Sequence, residues 1–332
     1  MITNNSGTLV AKSVDDHLGP GATRFFGSGY RRVDYTVTGA ELSADAVRAV
    51  VEVHHPVDWS KKGEDNELRP HLSTLDVLIL AVRAAETLTS RTHGLDAAAR
   101  RRTWIRRVDI KAPTKPIEDG FASLPFSAQH LTTESAGDGL LVSTLDCRVS
   151  TMRVRVELVH AAAGVRAEVD EDLDTALGAG YPGLYGAGFQ RWRQFIDEVL
   201  TDVRDDAPAR ADAMVLVEPP TDGRPDTGPE SARGPVVSMI DSFVVALQLG
   251  QVLLYETDGL TRAESDTLWM RNTTITAGPP ADRQAGLWFP TTTELHDSSL
   301  LLARGETWRT ATIVGACFGV VTRCAVAHRI PS

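Results

Sequence analysis

The sequence is short of cysteine, of positive charge and of long apolar runs, and each shortage excludes something. Cys147, Cys317 and Cys324 are its three thiols, with no CxxC or metal-like spacing. A disulfide scaffold is therefore excluded, and a reduced, cytoplasmic setting is expected. Lysine and arginine number 34 against 44 aspartates and glutamates, a net charge of −10. Broad binding of nucleic acid or of an anionic membrane needs a basic surface, so neither partner is expected, although a small basic pocket for a phosphate is allowed. Residues 1–9 lack a basic region followed by an apolar run, which reads as no signal peptide. The most apolar late stretch, Ala311 to Ala327, is broken by Arg323 and rich in β-branched residues. It predicts one or two buried strands, not a membrane span. There is no HxH, HExxH or compact His/Asp triad, and His296-Asp297 stands isolated, so no metal or cofactor is expected. Gly178-Ala-Gly180-Tyr-Pro-Gly183 matches GxGxxG by letter, but it follows an acidic stretch where a dinucleotide fingerprint needs a strand, and it contains Pro182; it reads as a linker.

What the sequence does have is a copy of itself. Residues 73–110 and 238–275 align without a gap at an offset of 165, with 11 of 38 positions identical. Ser73/Ser238, Asp76/Asp241, Gly94/Gly259, Trp104/Trp269, Arg106/Arg271 and Ile110/Ile275 are among them. Phe26-Gly-Ser-Gly-Tyr30 echoes Tyr185-Gly-Ala-Gly-Phe189 at an offset of 159. In each copy apolar residues recur at helical spacing, Leu75, Leu78, Ile79 and Val82 in one and Ile240, Val244, Leu247 and Leu254 in the other. The spacing predicts enclosed helices over 74–90 and 239–256. Strand-like segments follow at 103–111, 122–132, 140–148 and 151–160, and again at 268–276, 286–295, 299–303 and 307–328, the last as two strands. A curved sheet with one apolar face has to cover it, and a long central helix does so. The pattern predicts an α+β chain, a tandem double hotdog in which two antiparallel sheets each wrap a central apolar helix. The first repeat with an N-terminal extension takes 1–165, and the second with its connecting segment takes 166–332; the chain is expected as a monomer or homodimer.

Ahead of the first helix, His54-His-Pro-Val-Asp-Trp-Ser-Lys-Lys62 and Arg69-Pro-His-Leu-Ser-Thr-Leu-Asp76 gather imidazoles, cations, a tryptophan and a carboxylate. The matching stretch of the second repeat, 218–233, is rich in Pro, Gly and Asp, has no His, Lys or Trp, and reads as a flexible loop. One working site is therefore expected, at the seam between the repeats. His55 and His71 are candidate general acid/base groups, because imidazole titrates near neutrality. Asp76 and Asp241 have two readings. Ser73-x-x-Asp76 and Ser238-x-x-Asp241 are capping boxes, and the same helix-start position suits a catalytic carboxylate. Lys61, Lys62 and Arg69 are candidate phosphate ligands beside Trp59, although a solvated charged loop has the same composition. Trp104 and Trp269, with Arg106 and Arg271, fall at strand starts in both copies, where symmetry favours packing for the tryptophans.

Residues 18–37, from Leu18-Gly-Pro-Gly through Phe26-Gly-Ser-Gly-Tyr-Arg-Arg to Val37, resemble the start of the avirulence D (AvrD) proteins. Residues 69–76 and the pair Gln251-Val-Leu-Leu-Tyr-Glu256 and Thr267-Leu-Trp-Met-Arg271 resemble the same family, and the likeness runs from about residue 14 to 330. The resemblance implies a cytoplasmic acyltransferase-type synthase in syringolide or butenolide biosynthesis. It would join a β-ketoacyl thioester of CoA or acyl carrier protein to a ketose phosphate such as xylulose 5-phosphate, a logic similar to that of the γ-butyrolactone synthases. His55 or His71 would then be the base, Asp76 and Asp241 its aids, and Trp59, Lys61, Lys62, Arg69, Gln248, Arg106 and Arg271 the substrate contacts. Asp241 with Gln248 also resembles the acidic helix position of hotdog dehydratases, but their His-x-x-x-Gly-x-x-x-x-Pro loop is missing. A dehydratase or thioesterase acting on acyl thioesters, or a non-catalytic acyl- or lactone-binding protein, are the alternatives.

Overall fold

Period-two burial along the strands, as in Met152-Arg-Val-Arg-Val-Glu-Leu158, gives each one apolar and one polar face, and the apolar faces turn onto two helices. The computed structural model describes residues 2–3, 8–62, 68–162, 172–178, 180–204, 206–224, 226–265, 267–303 and 305–331. The expected division at 165/166 lies outside them. Short β1 (Ile2–Thr3), β2 (Thr8–Ser13) and α1 (Asp15–Leu18) come first. The first repeat then supplies β3 (Asp34–Leu42), β4 (Ala46–His54), helix α2 (Thr74–His93), α3 (Ala97–Arg102), β5 (Trp104–Lys111), β6 (Leu124–Gly137), β7 (Leu140–Val149) and β8 (Met152–Ala161). After α4 (Leu173–Leu177), the second supplies β9 (Arg193–Asp202), β10 (Ala209–Glu218), helix α5 (Met239–Asp258), β11 (Trp269–Ala277), β12 (Trp288–Ala303), β13 (Glu306–Cys317) and β14 (Val320–Arg329).

The sheet order is β1-β2-β9-β10-β12-β13-β14-β11-β5-β8-β7-β6-β4-β3. Each half thus repeats one strand order, and the halves meet where β5 and β11 pair antiparallel. Asp109 and Thr274, equivalent at the offset of 165, face each other in that pairing, and the Thr274 hydroxyl donates to the Asp109 carboxylate at 2.7 Å. The tandem hotdog architecture is therefore present, joined into one antiparallel sheet about a pseudo-twofold axis. The expected strands 286–295 and 299–303 form a single strand, β12, with a shift in register between His296 and Ser299. His296-Asp-Ser298 has turn composition, but Asp297 takes a left-handed conformation (φ 53°) that makes a bulge without ending the pairing.

Both helices start on a serine and end on a left-handed glycine, Gly94 (φ 61°) and Gly259 (φ 64°), a conformation only glycine adopts without steric cost. Phe243, Leu247 and Leu254 of α5 are fully buried, and each such side chain contributes about 1.5–3 kcal/mol over leaving it in water. α5 is long and apolar enough to cross a membrane, yet it is enclosed by β10, β12, β13 and β14.

The face of each helix turned from its own sheet is covered by the other repeat. Residues 15–32, leading into β3, lie across α5: Arg24 donates to Gln248 at 2.6 Å, Arg31 to Asp241 at 3.1 Å, and His17 meets Glu256 at 3.1 Å. Residues 173–178 and 180–191, leading into β9, lie across α2. Buried Arg83 of α2 donates to the carbonyls of Tyr185 (2.9 Å), Leu177 (3.1 Å) and Gly178 (2.7 Å), and the Tyr181 hydroxyl donates to Glu86. The two straps touch where Tyr30 stacks on Phe189, its counterpart at the offset of 159, with ring centroids 6.1 Å apart. The shared glycines of this motif are needed for close approach. A Cβ on Gly27 would lie 2.1 Å from the Gly21 carbonyl oxygen, and one on Gly186 would lie 2.2 Å from that of Tyr181.

Candidate functional site

The head of α2 is a reciprocal capping box. The Ser73 hydroxyl accepts from the Asp76 amide at 3.1 Å, and the Asp76 carboxylate accepts from the Ser73 amide at 2.7 Å. Its other carboxylate oxygen accepts from the Tyr35 hydroxyl at 2.8 Å. Burial pushes the Asp76 pKa up, opposed by His55, Ser73 and Tyr35. At α5 the cap is Ser238 alone: its hydroxyl accepts the Asp241 amide at 3.2 Å and donates to the Asp241 carboxylate at 2.7 Å, and Arg31 supplies that carboxylate's counter-charge. The capping box that the spacing predicts is therefore complete at Asp76, whereas at Asp241 only the serine half of it forms.

Beside the head of α2, the loop after β4 folds into an aromatic cluster. Trp59 is buried, its ring 4.9 Å from Phe25, 5.9 Å from His55 and 4.9 Å from His71. His71 in turn lies 5.5 Å from Trp269, a residue of the second repeat. Burial drives the His71 pKa down to about 4, against a hydrogen bond with the Arg69 backbone that raises it. Burial lowers His55 as well, opposed by the charge of Asp76. Both imidazoles are therefore neutral at pH 7, with nitrogen lone pairs available as acceptors.

His71 borders a cavity of about 430 Å³ at the seam of the repeats. The first repeat lines it with residues 71–74, the loop 112–117 and Met152, and the second with residues 268–271, Leu301, Ala303, Trp308 and neighbours on β13 and β14. A smaller pocket of about 60 Å³ shares His71, Ser73, Leu268 and Met270 with it and reaches Arg24, Trp59 and Lys62. The lining is mostly apolar, and the start of α2 enters through Ser73 and Thr74, bringing the positive end of the helix dipole to the wall. The head of α5 differs: the Tyr185 hydroxyl accepts from the Met239 amide at 3.3 Å and donates to Glu230 at 3.0 Å.

The remaining candidates separate. Trp269 and Arg271 line the large cavity. Lys62 is buried and donates to the carbonyl and hydroxyl of Ser265 at 2.7 and 3.0 Å. The backbone of Lys61 accepts from Arg262 at 2.6 Å. Arg69 is turned outward to Asp119 (2.6 Å) and Glu118 (3.4 Å), and Arg106 pairs with Glu157 at 2.8 Å on the exposed sheet face. Gln248 holds Arg24 and donates to Gln194 at 3.2 Å, and Asp241 lines neither cavity.

Sequence reasoning misses Tyr35, Trp308 and the loop 112–117, because only long-range pairing brings them to the site; the echo at residues 26–30 and 185–189 is the one local signal of the straps. The stretch 218–233, expected to be a flexible loop, instead anchors Glu230, which is fully buried against Arg283 at 2.8 Å.

The chain belongs to the family described as Pseudomonas avirulence D protein (AvrD), whose model matches residues 9–331. No curated protein matches it. Among solved structures it is similar to a tesB protein of Mycobacterium avium subspecies paratuberculosis (12% identity, 88% of this chain and 96% of that one, TM-score 0.40). It is also similar to acyl-CoA thioesterase II TesB2 from Mycobacterium marinum (12%, 89% and 97%, TM-score 0.37). A third is the dehydratase domain of PpsC from Mycobacterium tuberculosis, in complex with C12:1-CoA (14%, 78% and 84%, TM-score 0.32). These names correct one expectation. The acyltransferase-type synthase of syringolide or butenolide biosynthesis, with its ketose phosphate, is overturned: these similar structures are named a tesB protein, an acyl-CoA thioesterase and a dehydratase domain, not such a synthase. The phosphate grip expected of Lys62 and Arg69 is also spent on Ser265, Glu118 and Asp119.

Proposed function

We propose that the chain hydrolyses an acyl thioester in the cavity at the head of α2. The observation that carries this reading is His71, a neutral imidazole on the wall of an apolar cavity, beside the amide end of a buried helix. The acyl chain lies along Leu72, Ile117, Met152 and Trp308, burying methylenes that each contribute about 0.8 kcal/mol. A water attacks the thioester carbonyl while His71 takes its proton, and the oxyanion forms toward the start of α2. Collapse breaks the C–S bond, and the imidazolium returns the proton to the thiolate, leaving a carboxylic acid and a thiol. Asp76, through its bonds to Ser73 and Tyr35, positions the helix start and takes no part in proton transfer. Dehydration has less support, because the carboxylate of the second helix, Asp241, is held by Arg31 and Ser238 away from the cavity lining.

The test is thiol release from acyl-CoA thioesters of graded length, with the wild-type protein and His71→Gln. Hydrolysis by the wild type and a loss of about 10²-fold or more in kcat for the variant are expected. Tight binding of acyl-CoA without thiol release at any length would overturn the reading in favour of a binding protein. Unchanged turnover in His71→Gln would remove His71 from it.

A further inference from the structure

On the outer face of the sheet, Arg148 of β7 pairs across from Arg153 of β8, and Arg153 pairs across from Lys111 of β5. All three are exposed, and among the described residues none of them has an ion-pair partner. Strands lie about 4.8 Å apart, so the row sets three cations side by side over roughly 10 Å. Like charges directly opposite destabilise a sheet. The next row inward avoids this: Arg155 stands between Asp146 and Asp109, paired with Asp146 at 2.9 Å, while Arg107 neutralises Asp109 at 2.6 Å. A chain of net charge −10 therefore keeps one uncompensated basic row beside a compensated one. The row stands at the sheet end where the large cavity opens. Lys111 is followed by Ala112 and Arg153 is preceded by Met152, both of which line the cavity. A shallow depression of about 430 Å³ on the outer face is bordered by all three cations.

We infer that Lys111, Arg148 and Arg153 bind the phosphates of a nucleotide-borne thioester, a coenzyme A-type donor whose pantetheine arm turns over the sheet end into the cavity. Guanidinium forks match phosphate oxygens two at a time, and a row spanning roughly 10 Å suits a ligand carrying a diphosphate and a ribose phosphate. Asp146 and Asp109, the nearest carboxylates, are each held by an arginine and so repel the ligand little. The inference rests on the hydrolase reading for the arm's destination but not for the anion contact itself.

Binding of free coenzyme A, 3′-dephospho-coenzyme A and pantetheine is measured by calorimetry at low and high salt. The proteins are wild type, Arg148→Gln, Arg153→Gln and, as a control, Arg210→Gln, an exposed arginine of the far half-sheet. Each of the first two variants should weaken coenzyme A about tenfold, with less effect on the dephospho form and none on pantetheine, and the loss should shrink at high salt. The same variants should raise KM for an acyl-coenzyme A and leave kcat, and leave the matching N-acetylcysteamine thioester unchanged. Equal coenzyme A affinity in wild type and variants overturns the inference, even if the N-acetylcysteamine thioester is hydrolysed. Coenzyme A bound through the row while neither thioester is cleaved sinks the hydrolase reading and leaves the anion site standing. Loss of turnover confined to a carrier-protein-borne acyl group, with coenzyme A binding unchanged, assigns the row to an acidic protein and also overturns it.

Discussion

Replacing Arg283 by methionine tests a buried ion pair of the second repeat whose carboxylate also reaches the first. Glu230 and Arg283 have 0% and 1% of their side-chain surface exposed. The Glu230 carboxylate accepts from Arg283 twice (2.8 and 3.2 Å), from the Tyr185 hydroxyl at 3.0 Å and from the Ile105 amide of the first repeat at 3.2 Å. Arg283→Met keeps much of the volume but removes two of these four donors and the only counter-charge among them. Breaking a buried pair from one side costs about 3–5 kcal/mol, because the remaining charge is stranded. For a chain of this size that is a fall in Tm of about 4–7 °C, read by calorimetry or by denaturant midpoint. Glu230→Gln on top of Arg283→Met should recover part of the loss. A single variant within about 1 kcal/mol of wild type would refute the reasoning.

Acid should weaken the first repeat. His71 and His93 are held near pKa 4 and His130 and His160 are lowered too, all chiefly by burial, so the unfolded chain binds more protons and stability falls as pH drops from about 6.5 toward 4. His71 alone contributes up to about 3 kcal/mol of this, and equal urea midpoints at pH 7 and pH 5 would contradict it. Thioester hydrolysis should rise with pH through about 4 and stay level across neutrality, since His71 is already unprotonated there; a profile climbing through pH 6–7 points to another base. Gly250→Val should cost about 1–3 kcal/mol, because a Cβ there would lie 2.5 Å from Ile313 Cδ1, and an unchanged melting temperature would show that the sheet gives way freely. Tyr35→Phe should cost about 1–2 kcal/mol by removing the hydroxyl that donates to buried Asp76, measured by equilibrium unfolding.

What the sequence makes legible is local. Ser73 and Asp76, or Ser238 and Asp241, lie three residues apart, so the serine caps and the helices behind them can be read from letters alone. The seam cavity is half legible: His71 and Trp269 stand out as residue types, and the duplication brings their segments toward one another. The rest depends on pairings between distant strands. Arg153 looks like any alternating polar residue of a half-buried strand until β8 is placed between β7 and β5. Glu230 sits in a stretch of loop composition, and its burial is set by Arg283, 53 residues away. His93, His130 and His160 fall on three separate elements, yet all three approach the Ser143 hydroxyl, at 3.3, 3.2 and 2.9 Å.

The exchange of straps bears on how such a chain could be assembled or divided. A lone repeat would carry a cover with nothing beneath it and a helix with nothing above it, so two lone repeats would satisfy each other only as a pair with crossed arms. Expressed as separate halves, neither should form a soluble monomer, whereas the halves produced together should dock and mature as one body. Fusion into a single polypeptide removes the need for two identical arms. That freedom is visible in the two straps: one uses Arg24 and Arg31 to reach the partner helix, whereas the other receives Arg83 from it.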